Sequence, residues 1–366
     1  MKLVFAIKRL ENMAGGAERV ILQVIDGLRR DYGHDIALIT FDRQGAESFY
    51  PMPDGIEWIR LGIGDSAKRA GVMETVKRIF ELRRTVKNIN PDCVVPFQHS
   101  MFVPMVLAIM GLHKPIIASE HIVPDHYRKR PIEYILLVFA GLFCRKITVL
   151  SQAIISMYPA ILRSRMIAVP NPVSTSIVPA DVIGGERKIL LSVGRLDPQK
   201  DQSTLISAFA MIAPQFPNWN LKIIGEGLLR PDLEKQIVAL SLCGRVMLAG
   251  VTPNIMAEYQ SAQAFVLASR YEAFGLATAE AMSAGLPVIG FADCAGTNEL
   301  IKDDQNGLLV RVPDGKSRAE SLANGLGKIL GDTNLRTQLG SVGRADMAAL
   351  SPKRVVDMWQ NLLVTP

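Results

Sequence analysis

Short, almost unbroken apolar runs alternate along this chain with longer stretches of helical periodicity. Lys2–Ile7 is the first run, and Ala17–Arg30 is the first stretch with apolar residues at three- and four-residue steps. Further strands are predicted at Asp35–Phe41, Ile56–Leu61, Cys93–Phe97, Pro115–Ser119, Lys146–Leu150 and Met166–Val169. Helices are predicted at Gly71–Asn90, Met101–Leu112 and Ile132–Phe143, and Ser151 reads as the N-cap of a short helix. Strands that are apolar on both faces, alternating with helices, specify a parallel sheet covered on both sides. From Pro170-Asn-Pro-Val173 to Glu186-Arg187 the chain has the Pro, Ser and Gly content of a linker. The alternation then restarts, with strands at Lys188–Val193, Asn220–Ile224, Val246–Ala249, Ala264–Ala268, Pro287–Phe291 and Gly307–Val310. Helices Gln202–Ala213, Arg230–Leu242 and Asn254–Ala262 lie between them. The expected fold is therefore α/β, two Rossmann-like domains facing a central cleft, with boundaries at 1–170 and 187–346.

Composition changes this picture little. At 366 residues, 49% apolar and 21% charged, the chain is long enough for two domain cores. Lys2–Ile7 is too short for the apolar part of a secretory leader. The longest apolar runs, Met101–Leu112 and Tyr134–Cys144, are too short to span a bilayer. The four cysteines show no metal-binding spacing, which fits a reducing, cytoplasmic location. Charge is more informative. Residues 1–170 hold 23 Lys and Arg against 16 Asp and Glu, whereas 171–366 hold 18 against 19. The first half is therefore expected to meet an anionic partner.

The densest chemical signal is Glu272-Ala-Phe-Gly-Leu-Ala-Thr-Ala-Glu280, which follows a strand. The turn Phe274-Gly275-Leu276 presents backbone N–H groups at a helix start, where an anionic phosphate binds. Earlier, Gly194-Arg195-Leu196-Asp-Pro-Gln-Lys200 follows the first strand of the second half. Two cations on that loop can neutralise a pyrophosphate leaving group. No Asp-x-Asp sequence occurs to hold a divalent cation instead. The first βα turn, Asn12-Met-Ala-Gly15-Gly16-Ala17-Glu18-Arg19, departs from the Gly-x-Gly-x-x-Gly of dinucleotide folds, but its glycine pair admits a close backbone approach. Ser119-Glu120-His121 ends a strand, where ligands bind in open α/β sheets, and His99 follows another strand.

Taken together, these segments resemble the retaining GT-B glycosyltransferases of family 4, also called glycosyl transferases group 1, and in particular those that extend lipid-linked oligosaccharides or surface polysaccharide precursors. The resemblance covers nearly the whole chain. It is strongest over 190–310, where Ile223-Ile-Gly225-Glu226-Gly227-Leu-Leu-Arg230 also fits. It implies transfer of a hexose or N-acetylhexosamine from a UDP-sugar to a glycan hydroxyl, with the UDP-sugar as substrate and neither metal nor other cofactor. Arg195 and Lys200 would stabilise the diphosphate, Glu272 would meet the donor sugar, and Glu280 the ribose. His121 would hydrogen-bond the sugar or steady developing charge. Gly15, Gly16, Gly225, Val251, Phe274, Gly275 and Leu276 would shape the donor pocket. The last helix, within 352–366, would pack back on the first domain. One departure is Ala273, where the family most often has Gly. A sugar-nucleotide epimerase and a non-catalytic sugar-nucleotide-binding subunit are the alternative readings.

Segment 68–87 carries Lys68, Arg69, Lys77, Arg78, Arg83, Arg84 and Lys87 against Glu74 and Glu81, with Val72, Val76, Ile79 and Val86 at helical spacing. It reads as a basic amphipathic helix. Arg128-Lys-Arg130 precedes the apolar stretch Ile132–Phe143. Segments 68–87 and 128–143 are thus expected to contact an anionic membrane peripherally on its cytoplasmic face, or the phosphates of a lipid-linked acceptor. A nucleic-acid partner is not expected, because no aromatic interleaving accompanies the charge.

Overall fold

The computed structural model describes residues 1–66, 70–127, 130–174 and 178–365. Lys68, Arg69, Arg128 and Lys129 of the basic segments lie outside the described residues. The chain divides into two compact units, Met1–Pro172 with Pro352–Pro366, and Val173–Ser351.

The first unit runs β1 (Lys2–Ala6), α1 (Gly16–Tyr32), β2 (Asp35–Thr40), β3 (Glu57–Arg60), α2 (Val72–Ile89), β4 (Cys93–Pro96) and α3 (His99–Ile109). It continues with β5 (Ile117–Ser119), α4 (Pro131–Gly141), β6 (Lys146–Val149), α5 (Gln152–Met157), α6 (Ala160–Arg163) and β7 (Met166–Ala168). Strands pair in parallel in the order β3-β2-β1-β4 and, separately, β5-β6-β7. Single parallel bridges Val94↔Ile116 and Phe97↔Ser119 join the two groups at β4 and β5. The central strands bury every side chain of Val4, Phe5, Leu38, Val94 and Val95, as their unbroken apolar runs require. Ser151 does cap α5, accepting from the Ile154 N–H at 3.4 Å.

Helix α2 sits differently from its reading as a basic amphipath. Its buried face is Arg78, Leu82 and Val86, while Val72, Met73, Val76 and Phe80 are exposed. The cause is Arg78. Its guanidinium donates to the Ile63 carbonyl at 3.1 and 3.2 Å, pairs with Glu74 at 2.6 Å and lies 4.4 Å over the Phe41 ring. Three such contacts and an aliphatic stem make this arginine a core residue. Arg83 is likewise engaged, donating to the Ala108 and Met110 carbonyls at 2.8 Å.

The second unit runs β8 (Lys188–Val193), α7 (Gln202–Ile212), β9 (Trp219–Ile224), α8 (Arg230–Ala239), β10 (Val246–Gly250), α9 (Ile255–Ser261) and β11 (Ala264–Leu267). Then follow α10 (Leu276–Ser283), β12 (Val288–Phe291), α11 (Ala295–Leu300), β13 (Leu308–Val310), α12 (Arg318–Gly331) and α13 (Thr333–Met347). Its six strands are parallel in the order β10-β9-β8-β11-β12-β13. The core packs Leu190, Ile223, Val266 and Ile289 of the sheet against Phe209 of α7 and Leu326 of α12. Part of the segment expected as a linker is bound to this unit. Ala180 N–H donates to the Ala284 carbonyl at 2.7 Å, and fully buried Arg336 donates to the Val182 carbonyl at 2.9 Å.

The last helix, α14 (Pro352–Val364), belongs to the first unit and packs along α1. Trp359 stacks on Phe97 with centroids 5.7 Å apart and meets Phe5 at 6.4 Å. At its rim, Tyr32 hydrogen-bonds Asp357, and His34 Nε2 lies 2.6 Å from Gln360 Oε1. Among the described residues no helix is long and apolar enough to cross a membrane.

Candidate active site

In the second unit the strand order reverses between β8 and β11, and ligands of open parallel sheets bind beyond the carboxyl ends of strands at such a point. Both charged loops leave the sheet there. Lys200, from the loop after β8, and Glu272, from the loop after β11, form an ion pair of 2.5 Å with side chains only 15% and 9% exposed. The two loops are also laced together by hydrogen bonds. Arg270 N–H donates to the Gln199 carbonyl at 2.8 Å, and Gln199 Nε2 donates to the Tyr271 carbonyl at 2.9 Å. Arg195 stands at the outer edge of this cluster, 69% exposed, with Asp197 at 3.1 Å. A buried pair thus anchors the cluster while one cation stays accessible.

The loop after β9 closes on the same place. Gly225 N–H donates to the Gly250 carbonyl at 2.7 Å, and Leu196 N–H donates to the Glu226 carbonyl at 3.0 Å. A Cβ on Gly225 would stand 2.0 Å from the Gly194 carbonyl oxygen, and one on Gly227 2.3 Å from that of Leu196. Only glycine permits two loops to touch so closely. Val251, just past β10, is 51% exposed beside this loop.

Gly275 adopts the left-handed conformation (φ 80°) at the start of α10, and its carbonyl accepts from Ala279 N–H at 3.0 Å. Gly296 N–H holds the Glu272 carbonyl at 3.1 Å, which pins the Glu272–Gly275 turn against α11. Phe274 is buried and Leu276 half-buried. Glu280, one turn into α10, is 9% exposed, and the wholly buried Tyr259 donates its hydroxyl to Glu280 Oε2 at 3.1 Å. Tyr259 and Gln199 were not singled out from sequence. Their signal is slight: a tyrosine in the short helix before β11, and a glutamine inside a motif whose charged ends draw attention.

In the first unit, Gly15 precedes α1 and Gly16 opens it, with the buried Glu18 carboxylate folded over Gly15. His121 follows β5. Its ring stacks on Phe97 with centroids 5.0 Å apart, and its Nε2 lies 2.9 Å from Ser119 Oγ, which also accepts from the Thr148 hydroxyl at 2.9 Å. Burial lowers the His121 pKa to about 4, so the ring is neutral at neutral pH. His99 is lowered to about 4 as well, first by burial and then by His126. Glu120 is the residue overlooked between them. Its Oε1 accepts the His121 and Ile122 N–H groups at 2.9 and 3.0 Å, and the Tyr127 hydroxyl donates to its Oε2 at 3.4 Å. Burial raises this carboxyl to about 8 against those stabilising hydrogen bonds. The structure therefore fixes His121 through Ser119 on one side and Glu120 on the other.

The model for glycosyltransferase family 4 matches residues 14–177, and that for glycosyl transferases group 1 matches residues 175–346. The chain belongs to glycosyltransferase family 4. This glycosyltransferase is 24% identical to an uncharacterized glycosyltransferase of Haemophilus influenzae over 96% of each chain. It is 26% identical, over 99% of its length and 98% of the relative's, to a Campylobacter jejuni alpha-1,4-N-acetyl-D-galactosaminyltransferase named for a GalNAc-alpha-(1->4)-GalNAc-alpha-(1->3)-diNAcBac-PP-undecaprenol substrate. Among solved structures, the Anabaena protein HepE in complex with UDP and glucose matches over 100% of both chains with a TM-score of 0.83 at 19% identity. The glycosyltransferase accordingly has the GT-B fold.

Proposed function

We propose that this glycosyltransferase moves a hexose or N-acetylhexosamine from a UDP-sugar to a hydroxyl of a polyprenyl-diphosphate-linked glycan, with retention of anomeric configuration and without a metal ion. The observation that carries the reading is the buried Lys200–Glu272 pair beside accessible Arg195, at the strand reversal of the second unit. A carboxylate alone there would repel a diphosphate; Lys200 cancels it, while Arg195, largely exposed beside Asp197, is free to swing its guanidinium onto the diphosphate. Glu272 then meets the donor sugar, and Glu280, steadied by Tyr259, meets the ribose. Gly225, Val251, Phe274, Gly275 and Leu276 line the nucleotide, while Gly15, Gly16 and His121 serve the transfer from the first unit.

Because Glu272 is committed to Lys200, retention is assigned to attack on the face the diphosphate leaves. The bond from the anomeric carbon to the phosphate oxygen breaks as the acceptor oxygen bonds to that carbon. The acceptor proton passes to the departing phosphate. UDP as nucleotide and a polyprenyl-linked acceptor are supported by the UDP bound to HepE and by the name of the Campylobacter jejuni relative. The enzyme would work at the cytoplasmic face of a membrane, in peripheral contact with it. The test is transfer from UDP-hexoses and UDP-N-acetylhexosamines to a polyprenyl-diphosphate glycan in EDTA, with product anomers read by NMR. An α-linked product from an α-linked donor is expected. A β-linked product overturns retention, and activity lost in EDTA and restored by magnesium or manganese overturns metal independence.

A further inference from the structure

We propose that Thr148 and Ser119 are positioning residues, a relay of two hydroxyls that fixes His121 as its Nδ1–H tautomer, so that this histidine meets a sugar oxygen as a hydrogen-bond donor and takes no proton from the acceptor. Its part in transfer rests on the proposed function, whereas the tautomer itself does not. Ser119 ends β5 and Thr148 lies within β6. The two stand opposite each other in the parallel register, so their side chains share one face of the sheet. Each is 1% exposed. A hydroxyl so deeply buried is costly unless its proton finds an acceptor. Thr148 Oγ1 lies 2.9 Å from Ser119 Oγ, and Ser119 Oγ lies 2.9 Å from His121 Nε2. Among the described residues neither hydroxyl has a further hydrogen-bond partner.

Counting protons sets the direction. Each hydroxyl carries one proton, and a neutral imidazole carries one on either nitrogen. A proton on Nε2 would have to go to Ser119 Oγ, and one of the two hydroxyl protons would then be buried with no acceptor. With Nε2 bare, Thr148 donates to Ser119, Ser119 donates to Nε2, and every buried proton meets a lone pair. The bond made at one ring nitrogen decides which nitrogen is protonated, so the proton of the neutral ring sits on Nδ1. The plane of the ring is set separately. Phe97 stacks on it with 27° between planes, and Trp359 backs Phe97 at 19°. Glu120 holds the His121 main-chain N–H. Among the described residues Nδ1 has no hydrogen-bond partner, on a ring that stays partly exposed. A fixed N–H is thus left for a ligand oxygen. The other tautomer would offer a lone pair in its place and could serve as a general base. With Nδ1 protonated and Nε2 occupied by Ser119, the ring has no lone pair for the acceptor proton.

The test reads the tautomer by NMR. Two-bond nitrogen–proton correlations of the full chain, grown with 15N-histidine, separate protonated from bare ring nitrogens. The spectrum of His121→Gln assigns the His121 signals among the five histidines. Wild type is expected to show a protonated Nδ1 and a bare Nε2. Ser119→Ala and Thr148→Val are expected to mix the two tautomers, and Thr148→Ser, which keeps the hydroxyl, to restore the wild-type pattern. Transfer is measured with the UDP-hexose or UDP-N-acetylhexosamine that is turned over. There kcat is expected to fall about tenfold in Ser119→Ala and about threefold in Thr148→Val, with donor KM changed less than about twofold, and Thr148→Ser is expected to recover the rate. A protonated Nε2 in wild type overturns the relay, whether or not the variants fold. An Nδ1–H that persists unmixed in Ser119→Ala overturns it as well. Mixed tautomers in Ser119→Ala with an unchanged kcat overturn its part in transfer. A chain that shows the expected tautomers yet transfers no sugar overturns the proposed function and leaves the relay standing.

Discussion

Each unit has a parallel sheet whose strand order reverses beside its first strand, yet the buried ionisable groups that follow the strands at the candidate site are treated in opposite ways. The second unit keeps its groups charged by pairing them, Lys200 with Glu272 above all. After β4 and β5 of the first unit, burial instead holds three groups neutral: His99 and His121 are pushed down to about 4 and Glu120 up to about 8. A paired, pre-oriented set of charges suits an anion that arrives with its own charge. A neutral cluster suits uncharged hydroxyls, since it offers hydrogen bonds without a field.

The largest test of this contrast lies at the pair. Lys200→Ala removes a cation and strands the Glu272 carboxylate, whereas Arg195→Ala removes an exposed cation only. Losing one transition-state contact of this kind costs roughly a hundred- to a thousandfold in rate. Lys200→Ala is expected to reach the upper end in kcat/KM and Arg195→Ala the lower, measured with a saturating acceptor. Equal rates for both variants and wild type would remove the two cations from the chemistry.

A smaller effect separates cations of the surface from cations of the core within α2. Arg78→Ala leaves the Ile63 carbonyl and Glu74 without their partner, and is expected to cost about 2–3 kcal/mol in urea unfolding. Arg84→Ala, on the same helix but exposed beside Glu81, is expected to change stability by less than about 0.5 kcal/mol. Equal losses would mean that the α2 arginines are not divided in this way.

The pH profile of the first unit tests the other half of the contrast. Glu120 is raised to about 8, so between about 4.5 and 8 the unfolded chain has lost a proton that the folded one keeps. Stability then falls as pH rises, by about 1.4 kcal/mol per unit. His99 and His121, lowered to about 4, act in the opposite sense. Below about 6.5 the unfolded chain takes up protons the folded one refuses, so stability falls as pH drops. These groups together place the maximum near pH 6.5. Glu120→Gln keeps the size of the side chain and an oxygen to accept the His121 and Ile122 N–H groups, and is expected to flatten the alkaline limb alone. An alkaline limb unchanged in Glu120→Gln would assign it to other groups.

What was legible in the sequence follows the physics of each signal. Strands buried on both faces, such as Cys93–Pro96 and Ala264–Leu267, announce themselves because every residue is apolar. The face of α2 was not legible, because a core arginine counts as polar in any periodicity. Short helices such as α6 and α11 hold too few turns for a period to emerge. At the site, the motif residues stand out individually, but Lys200 and Glu272 are 72 positions apart and no spacing rule joins them. Likewise, Gly225 and Gly227 are visible as glycines, while the carbonyls they make room for are not.

The closing helix gives the first unit an unusual dependence on the order in which the chain is made. Trp359 completes an aromatic cluster with Phe5 and Phe97, residues from the first strand and from the end of the fourth. During synthesis the N-terminal sheet emerges first, but this corner of its core must wait while Val173–Ser351 is added and can condense separately. A ribosome-bound chain halted before residue 352 would thus hold a finished second unit and a first unit with its α1 flank unsealed. Helix α14 acts as a latch, so a nonsense mutation just before residue 352 would strike the fold of the sheet that contains β1.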